Sequence, residues 1–213
     1  MRKVFQIGGF VAAAVLVAFG IAAIMLGVNG RNTVSSSLKQ EYIVGSPDMT
    51  PAAIKVEAAK AGLKVANLTF PTVAVAGQAI DNGTKAQAFA GYMRIHTLEA
   101  SGGLTYSQLP RYATADGKGT NDATRALTSN GRPVDNAARN LWVTETALTT
   151  ALNTSYMASQ TALFGIVVGV ALLLSGIGFA ILAVGGTLAN AQPALNLFGK
   201  RTPKTAGALI PTA

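Results

Sequence analysis

The chain has 213 residues, of which 50% are hydrophobic and 12% are charged, and its mean hydropathy is +0.38. This composition is too apolar for an ordinary soluble domain. The formal net charge is +8, but five of the 17 basic residues lie in the two terminal segments and all nine acidic residues lie between them. The excess of basic over acidic residues therefore lies mostly in two short tails and does not indicate a nucleic-acid-binding protein.

The first predicted element is a membrane span within residues 1–28. Residues 4–28 hold one polar side chain, Gln6, and about 20 apolar residues are enough for a helix to cross the hydrocarbon core. The run is longer than the apolar core of a signal peptide, so we expect it to be retained. Small residues let helix backbones approach closely in a bilayer. One face of this helix carries Gly9, Ala13, Gly20, Ala23 and Gly27.

Residues 29–160 are predicted to form one extracytoplasmic domain. Leu38 and Tyr42 continue a four-residue repeat beyond the first span, which predicts a short stalk. Thr50 and Pro51 have the chemistry of a helix start. Residues 63–77 are the most strand-like segment, although Pro71 argues against a central strand, and residues 84–99 are predicted to be helical.

A long helix is predicted to begin near Val134 and to enter the membrane without a break. Residues 134–160 would form a stalk, residues 161–186 the second span, and residues 187–213 a basic cytoplasmic tail. Gly165, Gly169 and Gly176 share one face of the second span. If the two stalks run antiparallel, helical rise places Leu38 near Leu148 or Leu152, and Tyr42 near the level of Trp142.

The basic flanks predict the orientation. Arg2 and Lys3 precede the first span, and Lys200, Arg201 and Lys204 follow the second. Lys and Arg are retained on the cytoplasmic side during insertion. We therefore expect a plasma-membrane protein with two spans, both termini cytoplasmic, and tails that contact anionic lipid.

Catalytic and cofactor chemistry is not indicated. His96 is the one histidine, cysteine is absent, and the acidic residues are scattered along the sequence. The chain contains no P-loop, dinucleotide-binding or EF-hand motif. We therefore expect no catalytic, cofactor-binding or metal-binding residues, no cofactor and no enzymatic activity.

The sequence thus predicts a mainly α protein. Its two transmembrane helices, the second continuous with a long extracytoplasmic stalk helix, carry a small, mostly helical ectodomain in which short strands can occur.

Three stretches carry a family resemblance: SLKQEYIVGSPDMTP, GQAIDNGTKAQAFAGYMRIHTLEASGGLTYSQLP and NLWVTETALTTALNTSYMASQTALFG. They resemble a group of actinobacterial two-span membrane proteins, some of which carry a ring-opening dioxygenase label. The resemblance covers most of the chain except the C-terminal tail, and it implies an actinobacterial plasma membrane. A 2-His-1-carboxylate iron site cannot be built from one histidine, and the resemblance supplies no catalytic residues.

Two functions remain after these exclusions. The first is a non-enzymatic interaction protein, an accessory or assembly subunit of a larger envelope or respiratory complex, whose partners are other membrane subunits or further copies of the chain. The alternative is an extracytoplasmic module that binds lipid or cell-wall material.

Overall fold

The computed structural model describes residues 2–185, and the side chain of Arg2 is not among the described groups. The expectations for the tail, residues 187–213, and for its basic residues Lys200, Arg201 and Lys204 lie outside the described residues. The chain divides into two compact units, one of residues 20–171 and one that joins residues before 20 to residues after 171.

Helices make up most of the described chain, so the prediction of a mainly helical protein is confirmed. They are α1 (Arg2–Gln40), α2 (Pro51–Lys60), α3 (Gly83–Ala100) and α4 (Ala137–Val184). The strands found within residues 2–185 are β1 (Thr128–Ser129) and β2 (Arg132–Pro133), which pair antiparallel. The turn between them, Asn130-Gly131, has positive φ at both residues (53° and 72°), as a tight hairpin requires.

Helices α1 and α4 are the two long apolar helices. Their most apolar windows have mean hydropathies of 2.7 and 2.6, and both helices are long and apolar enough to cross a membrane. Only 17% of each window is buried by the rest of the described chain. Apolar surface exposed on this scale is typical of contact with lipid or with another protein.

Helix α4 begins three residues later than the sequence predicted. The N–H of Val134 donates to Leu127, and the carbonyl of Val134 accepts from Ala113, so this residue belongs to the hairpin region. Asn136 then caps the helix, because its side-chain oxygen accepts from the N–H of Ala138 at 3.0 Å.

In the Thr- and Ser-rich part of α4, several hydroxyls bond to the backbone of the helix itself. Thr154 donates to the carbonyl of Thr150 at 2.8 Å, and Ser155 donates to Ala151 at 3.0 Å. Thr161 donates to the carbonyl of Met157 at 3.0 Å. Each hydroxyl is thus satisfied four residues back along its own helix.

The two shorter helices begin where the sequence predicts. Thr50 accepts from the N–H of Ala53 at 3.2 Å, and Pro51 takes the first helical position of α2. Asn82 caps α3 by accepting from the N–H of Lys85 at 3.0 Å.

The main apolar core of the unit 20–171 lies where α2 packs against α3. Ile54 of α2 and Tyr92 of α3 are fully buried, and Val75 and Ile80 from the connecting segment join them. Burying one such side chain contributes about 1.5–3 kcal/mol. A second, smaller cluster contains Leu98, Leu109 and Trp142.

The strand-like segment 63–77 does not form a strand. It contains a 3₁₀ turn at Val65–Asn67, and the chain then packs against α3. The ring of Pro71 lies so close to Gly91 that a Cβ there would be 2.8 Å from it. The hydroxyl of Tyr92 donates to the carbonyl of Val73 at 3.1 Å. A side chain of α3 therefore holds this segment, in addition to the isolated bridge that Ala76 makes with Gly45.

Candidate functional site

Within the unit 20–171, α1 and α4 touch through glycines. A Cβ on Gly27 would lie 2.5 Å from the carbonyl oxygen of Ala162, and a Cβ on Gly169 would lie 2.7 Å from that of Gly20. These distances are shorter than real side-chain contacts, so the backbones approach each other as closely as glycine allows.

The other unit contains a similar contact between the same helices. A Cβ on Gly176 would lie 3.0 Å from the carbonyl oxygen of Ala13. Gly9 and Ala13 are buried. Gln6, the polar side chain in the first apolar run, donates to the carbonyl of Ala183 at 3.3 Å. An amide that would otherwise face an apolar environment thus has a partner.

The predicted small-residue positions differ in how tightly they pack. A Cβ on Gly165 would meet nothing nearer than the carbonyl oxygen of Ala23 at 3.7 Å, an ordinary contact. Gly169, four residues later, has no such room. The structure therefore brings together Gly20, Gly27 and Gly169 closely, while Gly165 and Ala23 are looser.

The predicted stalk residues are placed in three different ways. Leu38 (5% exposed) and Leu152 (2% exposed) belong to the main cluster, and Leu148 packs against it. Tyr42 takes no part in this packing, because α1 ends at Gln40 and Tyr42 turns the chain with a φ of 52°, leaving it 89% exposed.

Trp142 belongs to the second cluster and is fixed by hydrogen bonds. Its indole N–H lies 3.0 Å from the carbonyl oxygen of Leu104 and 3.2 Å from the hydroxyl oxygen of Ser101. The guanidinium of Arg94 lies over the indole ring, 5.3 Å from its centre. These contacts join α3 to α4 between residues far apart in the sequence, so no local sequence pattern could indicate them.

A second constellation surrounds His96, which the sequence argument treated as isolated. One metal-ligating atom from each of Asp48, Glu57 and His96 lies within 4.8 Å of the other two. Nε2 of His96 is 2.9 Å from Oδ2 of Asp48. Glu99 follows His96 by almost one turn of α3. The fold thus gathers carboxylates that are scattered in the sequence.

The charges of this constellation act on each other. A hydrogen bond from Ser46 lowers the pKa of the Asp48 carboxyl, and His96 acts in the same direction. Burial raises the pKa of Glu99, and the neighbouring charge of Glu57 raises it further. Among residues 2–185, Nε2 of His96 and Oε1 of Glu99 are buried atoms without a hydrogen-bond partner.

A polar cleft of about 490 Å³ lies between α3, α4 and the segment 69–73. Glu145 lines it although only 3% of this residue is exposed, and it accepts a 3.4 Å hydrogen bond from Thr146. Arg94 lines the same cleft. The remaining polar lining residues are Thr69, Thr72, Thr84, Gln87, Thr149 and Asn153.

Comparisons of the chain with protein-family models, with curated proteins and with solved structures find no match.

Proposed function

We propose that the chain is a non-enzymatic, membrane-anchored interaction protein, an accessory or assembly subunit of a larger plasma-membrane complex of the envelope or respiratory type. The observation that carries the proposal is the asymmetry of α1 and α4. Their small residues face each other, while most of their large apolar side chains face outward. The outward side chains include Phe5, Phe19, Met25, Leu26, Phe164 and Val184, each at least 65% exposed.

In this proposal both helices cross the plasma membrane and both termini are cytoplasmic. The basic flanks at Arg2 and Lys3 and at residues 200–204 support that orientation, and they would lie beside anionic lipid. Residues 29–160 would face outward, with the first part of α4 as a stalk. A reporter enzyme fused after Ala213 should be active only in the cytoplasm. Activity of the fused reporter outside the membrane would overturn this topology.

The outward apolar surface is available for another membrane subunit or a second copy of the chain. Helix association in lipid rests on close packing and not on the hydrophobic effect. A partner would therefore need a complementary helix face. The packing of Leu38 and Leu152 into the ectodomain core supports a rigid link between the helices and the surface that the ectodomain presents.

Purification from native membranes in mild detergent tests the interaction. We expect at least one membrane subunit, or a second copy of the chain, to co-purify in constant stoichiometry. The matched variant replaces the outward residues Phe19 and Phe164 with alanine, and it should release the partner while the chain stays folded. Recovery of a monomer with lipid alone would contradict the proposal.

The cleft favours a second candidate function, binding of lipid-derived or cell-wall material. A buried carboxylate beside an arginine and several hydroxyl and amide groups can hydrogen-bond a ligand rich in hydroxyls. Native mass spectrometry of the purified chain should then detect a non-protein ligand that Glu145→Gln releases. If the variant retains the same ligand as the unaltered chain, the cleft is not its site.

A further inference from the structure

The constellation around His96 joins three separate segments of the ectodomain. Asp48 lies in the turn before α2, Glu57 lies near the end of α2, and His96 lies on α3. The turn itself is ordered, because Met49 donates its N–H to Ser46 at 3.1 Å and Thr50 caps α2. The three side chains therefore project from backbone that is already held in place.

The donor set is one imidazole nitrogen and two carboxylate oxygens. Imidazole nitrogens favour transition metals such as zinc, whereas calcium and magnesium are bound mainly through oxygen. Bonds of about 2.0–2.2 Å to a tetrahedral ion place its ligands roughly 3.3–3.6 Å apart. The ligand atoms lie within 4.8 Å of one another, so side-chain rotations that move these atoms by about an ångström would close the site around an ion.

The site also has an unbalanced set of charges and polar atoms. Asp48, Glu57 and Glu99 surround a single histidine, and like charges at such distances repel each other unless a cation lies between them. Nε2 of His96 approaches Asp48 closely without the alignment of a hydrogen bond. Oε1 of Glu99 is buried and lacks a partner within the described chain. Unpartnered buried polar atoms are costly, and a bound ion would give Nε2 of His96 a partner and would offset the charge beside Glu99.

An ion could reach these groups from solvent. The side chain of Asp48 is 34% exposed and that of His96 is 24% exposed. The site is therefore open on one side, where water can complete the coordination.

We propose that Asp48, Glu57 and His96 bind one divalent transition-metal ion, Zn²⁺ in preference to Ca²⁺ or Mg²⁺. The ion acts as a structural clasp that ties the turn before α2 to α2 and α3. Such a clasp would do for this cysteine-free chain what a disulfide does in other extracytoplasmic domains. The proposal replaces the expectation from sequence that the chain binds no metal.

The test uses the full chain without a histidine tag, stripped with a chelator and equilibrated with zinc chloride in mild detergent. We expect about one zinc ion per chain by elemental analysis and a rise in melting temperature. Calcium chloride at the same concentration should give neither. Because loss of a residue that merely supports a ligand already weakens metal binding about 10–100-fold, Glu57→Gln and His96→Gln should each raise the zinc Kd at least tenfold.

The matched control is Glu41→Gln, which removes an exposed carboxylate outside the site and should leave the Kd unchanged. Far-UV circular dichroism identifies a variant that does not fold. If His96→Gln fails this check, Glu57→Gln alone decides, since Glu57 is absent from the buried core. Zinc binding that is undetectable, or that is equal in Glu57→Gln and in the unaltered chain, would overturn the site. Equal stabilisation by calcium would overturn the choice of metal.

Discussion

Gly169→Ala should weaken the contact between α1 and α4. The added Cβ would lie 2.7 Å from the carbonyl oxygen of Gly20, whereas ordinary contacts begin at 3.4 Å, so the helices must separate locally by 3.4 − 2.7, or about 0.7 Å. Two of the atoms nearest to the new Cβ are the carbonyl oxygen of Gly20 and the nitrogen of Ile24. Both belong to the backbone and cannot rotate away. Overpacking of this kind costs about 1–3 kcal/mol.

Gly178→Ala is the matched control, because a Cβ there meets nothing within 4 Å. Both substitutions gain helix propensity, up to about 1 kcal/mol, so their difference isolates the interhelical contact. Gly165→Ala should resemble the control, since its nearest neighbour is 3.7 Å away.

The assay is equilibrium unfolding in mixed micelles with increasing dodecyl sulfate. Fluorescence of Trp142, the one tryptophan in the chain, and far-UV circular dichroism follow the transition. We expect Gly169→Ala to unfold at lower dodecyl sulfate than Gly178→Ala, by a difference equivalent to about 1–3 kcal/mol. Equal midpoints for the two variants would refute the reasoning.

Three further outcomes follow from contacts in the unit 20–171. Gly30→Cys with Ala162→Cys should form a disulfide under mild oxidation, because a Cβ on Gly30 lies 3.3 Å from that of Ala162, near the usual separation of about 3.5–4.5 Å. Val28→Cys with Ala162→Cys is the control, since Val28 lies roughly 200° round the helix from Gly30, and it should form no disulfide in the same gel-shift assay. Trp142→Phe removes the indole N–H that the carbonyl of Leu104 and the hydroxyl of Ser101 share, and it should lower the free energy of unfolding by about 1–3 kcal/mol, measured by circular dichroism. A hydrogen bond from Lys85 lowers the pKa of Asp81, so that Asp81 stabilises the fold above its unfolded pKa and loses this effect as the pH falls through the folded value. Asp81→Asn should therefore lower the melting temperature slightly at pH 7 and leave it unchanged at strongly acidic pH.

The helices themselves were predictable because their determinants are local. The apolar runs of α1 and α4 can be recognised by their length, and Thr50 marks the start of α2 by capping. The end of α1 was harder to locate, since the repeat that reaches Tyr42 continues past the helix. The turn there depends on how Ile43 and the residues after it pack and bond.

The contacts between distant segments could not be read from the sequence. Gly165 and Gly169 look equivalent in a GxxxG pattern, and only the position of α1 separates them. His96 follows Glu57 by 39 residues and Asp48 by 48 residues, a spacing that matches no metal motif. Likewise, the close contact of Pro71 with Gly91 and the isolated bridge between Ala76 and Gly45 join segments that no local pattern connects.

If α4 crosses a membrane as proposed, the hydroxyls that bond back along it affect how deeply it can sit in the bilayer. The hydroxyls of Thr154, Ser155 and Thr161 already donate to carbonyls of their own helix. Moving them from water into the headgroup region therefore leaves none of these donors without an acceptor. These three hydroxyls therefore add little to the cost of shifting the boundary between the wet and the dry part of the helix, whereas the exposed amide of Gln160 would resist burial. A thicker bilayer would thus be accommodated up to the level of Gln160 and not beyond it.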